Sequence, residues 1–219
     1  MSHEQVKKLN RKTVDRKFEF LGKLCREKNQ KWLQDYFGEK PAIEVQFDDL
    51  ITIEHTKLKP VSVSSVVEKH SRKILGTKVS QIGANGKLAE ISVKKYGKRF
   101  NNHRQKLNEL FAEIKPLIHP RATFESDEHT TYPGAVRTHF PSATHIRYKG
   151  GRSCIAGQGE LKKLAWDPLF SINHTYAMFR ANINRLFRRT WNTTKKLDQL
   201  QNHLDIYTYA FNTDLISSK

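Results

Sequence analysis

From residue 43 to residue 54 the chain alternates with a period of two. Ile43, Val45, Phe47, Ile51 and Ile53 stand against Glu44, Gln46, Asp48, Thr52 and Glu54. That rhythm predicts a strand with one apolar face. Two more extended stretches follow at 59–68 and 72–82, spaced for an antiparallel meander with a short turn between the second and third strands. Upstream of Pro41, residues 1–40 are free of proline and helical in composition, with Val14, Phe18, Leu21 and Leu24 as an apolar stripe and Trp32 and Phe37 further on. A glycine-containing loop at "GANGK" leads to a predicted helix over 101–118, whose Leu107, Leu110, Phe111 and Ile114 share a side and whose end Pro116 marks. "RATFESDEHTTYPGAVRTHFP" reads as a strand ending in acidic residues and then a short helix, and "ATHIRYK" as another strand. Gly150, Gly151, Gly157 and Gly159 form a flexible connection, 161–189 is helical with an interruption near Asp167 and Pro168, and a last helix spans 196–211.

Three strands, a helix, a strand, a short helix, a strand and a long helix fit an α/β fold. The architecture expected is a ribonuclease H-like mixed sheet with flanking helices, preceded by a small helical segment. We divide the chain into 1–40, a helical segment with a possible partial helix-turn-helix, and 41–219, the sheet domain. Such a sheet brings the end of the fourth strand beside the middle of the first, where Asp127 and Asp48 would meet. Parity puts Asp48 on the polar side of its strand and Asp49 on the apolar side; a bulge there would exchange them. Two carboxylates held together repel each other, and a divalent ion relieves the repulsion. Magnesium needs no more than one or two carboxylates together with phosphate oxygens of a substrate.

The formal charge of +17, from 39 Lys and Arg against 22 Asp and Glu, points to a polyanionic partner. Arg11, Lys12, Arg16 and Lys17 give the first helical segment a basic face. Over 171–191, Ile172, Tyr176, Phe179, Ile183 and Phe187 form a core stripe beside a small and polar stripe of Asn173, Ala177, Arg180 and Asn184, with Arg185, Arg188 and Arg189 beyond. "RYKGGR", with Arg147 and Arg152, is a second basic patch. Cys25 and Cys154 are too few for a disulfide framework or a cysteine zinc ribbon, and His55, His103, His129 and His145 read as surface or core-edge residues. No stretch approaches the length of a bilayer span and "MSHEQVKKLN" lacks a signal-peptide core, so the expectation is an intracellular, soluble, cytoplasmic and nucleoid-associated protein with no membrane partner.

"FDDL" at 47–50, "FESDEHTTYPGAV" at 124–136, "THIRY" at 144–148 and above all "HTYAMFRANINRLFRRTWNTTK" at 174–195 resemble bacterial insertion-sequence transposases of the DDE class with a compact catalytic domain. The resemblance runs from about residue 41 to the C-terminus, and 5–24 look like the end of a helix-turn-helix. It implies metal-dependent DNA cleavage and strand transfer, with Mg²⁺ or Mn²⁺ on Asp48, Asp127 and a residue of the helix after the sheet. Asn173, seven residues before Arg180, stands where that family has glutamate, with Glu160 and Glu128 as less well placed substitutes. It also implies inverted-repeat ends and target DNA as partners and a homo-oligomer when DNA is bound. Arg11, Lys12, Arg16, Lys17, Arg147, Arg152, Arg180, Arg185, Arg188 and Arg189 would hold the DNA. Asn173 and the lack of an N-terminal zinc ribbon leave open the alternative of an inactive or truncated transposase remnant that binds DNA, and the basic charge alone leaves open an RNA-binding or ribosome-associated protein.

Overall fold

The structure is a computed structural model that describes residues 10–149, 167–187 and 192–215. Asn10 starts the first helix, α1 (Arg11–Phe37), by accepting the backbone N–H of Lys12 at 2.9 Å. The strands β1 (Ala42–Glu54), β2 (Thr56–Glu68) and β3 (Ile74–Gln81) form the antiparallel meander. Two helices follow, α2 (Lys87–Tyr96) and α3 (His103–Ile114), then β4 (Ile118–Asp127), α4 (Tyr132–His139) and β5 (Thr144–Tyr148). Beyond the connection come α5 (Phe170–Asn182) and α6 (Leu197–Ala210).

The sheet order is β3-β2-β1-β4-β5, with β4 parallel to β1 and β5 parallel to β4. With helices on both faces, this is the ribonuclease H-like architecture that the order of elements predicts. Because side chains alternate along a strand, each face has its own core. On one, Val45, Phe47 and Phe124 pack with Leu107, Leu110 and Phe111 of α3, Val136 of α4 and Leu33 of α1. On the other, Leu50, Val61 and Val63 pack with Ile172 and Phe179 of α5 and Leu200 and Leu204 of α6. Helix α1 also lies along α6, where Arg26 Nε donates to Asp205 at 2.9 Å.

Three elements differ from the sequence reading. Residues 87–96, for which the sequence pattern predicts no element, form α2. The helix before β4 stops at Ile114, passes through a 3₁₀ turn at Lys115–Leu117 and gives way to the strand at Ile118. Pro116 has no N–H to continue an α-helical ladder, which accounts for the tighter exit. Helix α5 ends at Asn182, because Ile183 turns extended (φ −104°, ψ 103°) and the next three residues form a single 3₁₀ turn. The stripe therefore holds from Ile172 to Ile183 but fails at Phe187, which is 39 % exposed while Leu186 is buried in its stead.

Gly76 of β3 lets α3 approach the sheet closely. A Cβ there would lie 2.7 Å from Leu110 Cδ1 and 3.0 Å from Ile114 Cγ2. Gly76→Val should therefore cost about 1–3 kcal/mol from overpacking. Urea unfolding should show this as a lower midpoint with an unchanged slope.

Candidate active site

Strands β1 and β4 run parallel up to the pair Gln46↔Glu125 and then part. Continuing that register by two residues sets Asp48 level with Asp127, the last residue of β4, at the mouth where the strands separate. Between β1 and β2 the register is unbroken from Val45 to Ile53, so no bulge rearranges the two adjacent aspartates.

They have opposite surroundings. Asp49 lies on the face of Phe47, where its carboxylate is bonded to His103 Nε2 at 2.6 Å and accepts the Ser64 hydroxyl. Burial pushes its pKa up, but the hydrogen bond and charge of His103, with help from Ser64 and Tyr132, outweigh burial and hold it below the usual carboxylate value. Asp48 has weaker company. Its Oδ1 accepts the Asp49 backbone N–H at 2.7 Å and the Tyr132 hydroxyl at 3.4 Å. Burial, opposed by the Asp49 N–H and reinforced by the charges of Asp127 and Asp49, pushes its pKa up to about 7. Asp49 is thus already committed to a protein partner, whereas Asp48 is the carboxylate that a cation would stabilise.

Beneath this pair lies a polar layer that the sequence reading missed. Gln46 and Glu125, each two residues before an aspartate and on the same face, are buried. Gln46 Nε2 donates to Glu125 Oε2 and to the Pro168 carbonyl, both at 2.7 Å, while its Oε1 accepts the Ile172 N–H at 3.2 Å. Lys69 Nζ lies 2.7 Å from Glu125 Oε1 and 2.8 Å from Glu44 Oε2, and Ser171 Oγ donates to the Lys69 carbonyl at 2.5 Å. The Tyr176 hydroxyl, in the next turn, donates to the Asp48 carbonyl. These bonds fix the start of α5 over Asp48. The available signal was the repeated polar-x-Asp spacing, Gln46-x-Asp48 and Glu125-x-Asp127, which alternation alone assigns to solvent.

Asn173 occupies the exposed side of the first turn of α5. Its Nδ2 donates to Asp167 Oδ2 at 2.9 Å, and Asp167 Oδ1 in turn accepts the Leu169 N–H at 3.1 Å. Asn173 is therefore bonded to Asp167 and not to either aspartate of the pair, with its side-chain oxygen as the remaining donor of lone pairs. Glu128 follows directly on Asp127 just beyond the strand end, and Glu160 lies outside the described residues.

Among the described residues no three of His, Cys, Asp and Glu converge into a metal cluster. The donor set still fits a hard divalent ion. Two carboxylates on adjacent parallel strands, one of them poorly compensated, are hard oxygen donors of the kind magnesium takes alongside water and phosphate oxygens.

Of the basic residues, Arg11, Lys12, Arg16 and Lys17 are exposed on the first turns of α1, which runs on without a turn to Phe37. Arg147 is exposed on β5, at the free edge of the sheet. Arg180 is half-buried on α5, and Arg185, past its end, donates to Asn192 at 2.5 Å. Arg152, Arg188 and Arg189 lie outside the described residues. No known family model matches the chain, and no curated protein is significantly similar to it. Among the described residues, no helix is long and apolar enough to cross a membrane.

Proposed function

We propose that the protein is a transposase that cleaves insertion-sequence ends and joins them to target DNA with Mg²⁺ or Mn²⁺ at Asp48 and Asp127. One observation carries this reading: Asp48, with its raised pKa, stands level with Asp127 where parallel strands part. Asn173 would add a neutral oxygen, and Arg180 would steady a phosphate. A divalent ion held there would supply positive charge against the charge that develops as the oxygen of water or of a 3′-hydroxyl attacks phosphorus and the bridging ester oxygen leaves. The chain's own task is to hold the two carboxylates in place, through the Gln46–Glu125 layer and the Tyr176 hydroxyl. A net charge of +17 suits a DNA substrate and an assembly of several copies on paired DNA ends. The bond between Asn173 and Asp167 favours a second reading, a remnant that binds the same ends without cutting them.

The two readings separate in a cleavage assay on DNA carrying the inverted repeats that flank the gene. With Mg²⁺ or Mn²⁺ the parent should nick or join this DNA, while Asp127→Asn should bind it equally well and lose at least about a hundredfold in rate. Binding without cutting by both proteins would leave only the remnant. Tighter binding to structured RNA than to this DNA would favour the RNA-binding class.

A further inference from the structure

Past Asp48 the sheet narrows. Strand β4 ends at Asp127, but β1 and β2 continue as an arm, flanked by β3 as far as the pair Val61↔Gln81, to a one-residue connection at His55. From Asp48 to Glu54 the arm extends about 20 Å at the rise of a strand. Near its tip lies α2, a helix with only Ser92 buried. Ser92 Oγ donates to the Leu58 carbonyl at 2.7 Å, and Lys59 Nζ sits 4.5 Å over the Tyr96 ring. On a helical wheel Ser92, Tyr96 and Ala89 face the arm, so Lys87, Ile91 and Lys94 face away from it.

This outer surface serves neither core. Leu88, Ile91 and Val93 are 40 %, 52 % and 53 % exposed. Lys87 and Lys94, with Lys98 just after the helix and Lys57 on the arm, are exposed and pair with no carboxylate among the described residues. Glu90 is the helix's single acid. A second copy seated on the same patch about a two-fold axis would bring these lysines against one another. A polyanion meets them with the opposite charge, and exposed aliphatic side chains between lysines suit the sugars between its phosphates.

We propose that the β1–β2 arm and α2 form a docking surface for the sugar-phosphate backbone of duplex DNA, which it holds about half a helical turn from the phosphate at Asp48 and Asp127. The proposal rests on the DNA-processing reading above. The spacing follows from the arm: about 20 Å corresponds to about six base pairs at 3.4 Å each. Lysines of this kind add affinity without reading sequence.

The test uses the full chain with Asp127→Asn, so that the DNA stays uncut, and a duplex carrying the flanking inverted repeat. Lys87→Gln/Lys94→Gln/Lys98→Gln is compared with Lys28→Gln/Lys31→Gln/Lys40→Gln, which removes the same charge elsewhere; circular dichroism checks that both are folded. The α2 set should lower the slope of log affinity against log salt by about 2–3, near 0.9 per lost phosphate contact. It should also abolish hydroxyl-radical protection about six base pairs from the cleavage position. Equal slopes for the two variants with unchanged protection would overturn the docking surface, while leaving the parent's binding and cutting, and so the proposed function, intact. A parent that binds no duplex DNA would overturn both. Binding of structured RNA that depends on the α2 lysines, without such dependence for DNA, would overturn the choice of partner.

Discussion

Glu125→Ala should destabilise the protein by about 3 kcal/mol. Glu125 is 3 % exposed and accepts from Gln46, Lys69 and the Tyr148 hydroxyl. Its removal takes one of two acceptors from the buried Gln46 amide, which keeps the Pro168 carbonyl, and one from the Lys69 ammonium, and unmet buried donors cost more than the bonds themselves contribute. Lys69 keeps Glu44 and is partly exposed, which places the loss toward the lower end of the range for broken buried pairs. In a chain of this size the melting temperature should fall by ~6–12 °C. Glu125→Gln keeps the shape and an acceptor, so it should lose less. Hydrogen exchange should locate the damage: amides at the start of α5, which Gln46 holds, should lose protection before those of α3. Equal loosening of both helices would show that the layer has no particular hold on α5.

Asp48→Asn should do the reverse and stabilise the metal-free protein at pH 8. The carboxyl ordinarily titrates near 3.8 and is pushed up to about 7 in the fold. Between those values the folded protein keeps a proton that the unfolded chain has released. Asp48 therefore makes stability fall as pH rises from about 4 to 7, with the full penalty present above 7. Three pKa units correspond to an upper limit of about 4 kcal/mol, and partial solvent access reduces the expected gain of the amide to about 1–3 kcal/mol. The advantage should shrink as pH drops through 7 and vanish near 4. Millimolar Mn²⁺ should raise the melting temperature of the parent, because the ion binds the folded carboxylates, and leave Asp48→Asn almost unmoved. A variant less stable than the parent at pH 8 would mean that Asp48 serves the fold rather than a ligand.

The sheet was legible because its strands alternate and because Pro41, the glycine-bearing turns and Pro116 separate the elements. Parity also separated the neighbouring aspartates: Asp48 shares the face of Gln46, and Asp49 that of Phe47 and His103. Less legible was what covers each face. The side of Gln46 and Glu125 reads as solvent-facing, yet α5 closes over it and turns two polar side chains into a buried layer, an effect of tertiary packing that no local period encodes. Helix α2 escaped for a related reason. It buries a single serine, so its leucine, isoleucine and valine follow no core stripe. The end of α5 at Asn182 was hidden because Ile183 and Leu186 stay buried after the helix stops, and the apolar pattern outlasts the helical backbone.

Joint binding of a divalent ion by Asp48 and Asp127, as proposed above, can be read from a Mn²⁺ titration followed by electron paramagnetic resonance. At pH 8 the parent should take up Mn²⁺ saturably, with the signal of free ion suppressed until the site fills. Mg²⁺ should compete for the site, and Asp48→Asn and Asp127→Asn should each lose the uptake. Identical titrations for all three proteins would contradict the claim and with it the metal-dependent chemistry.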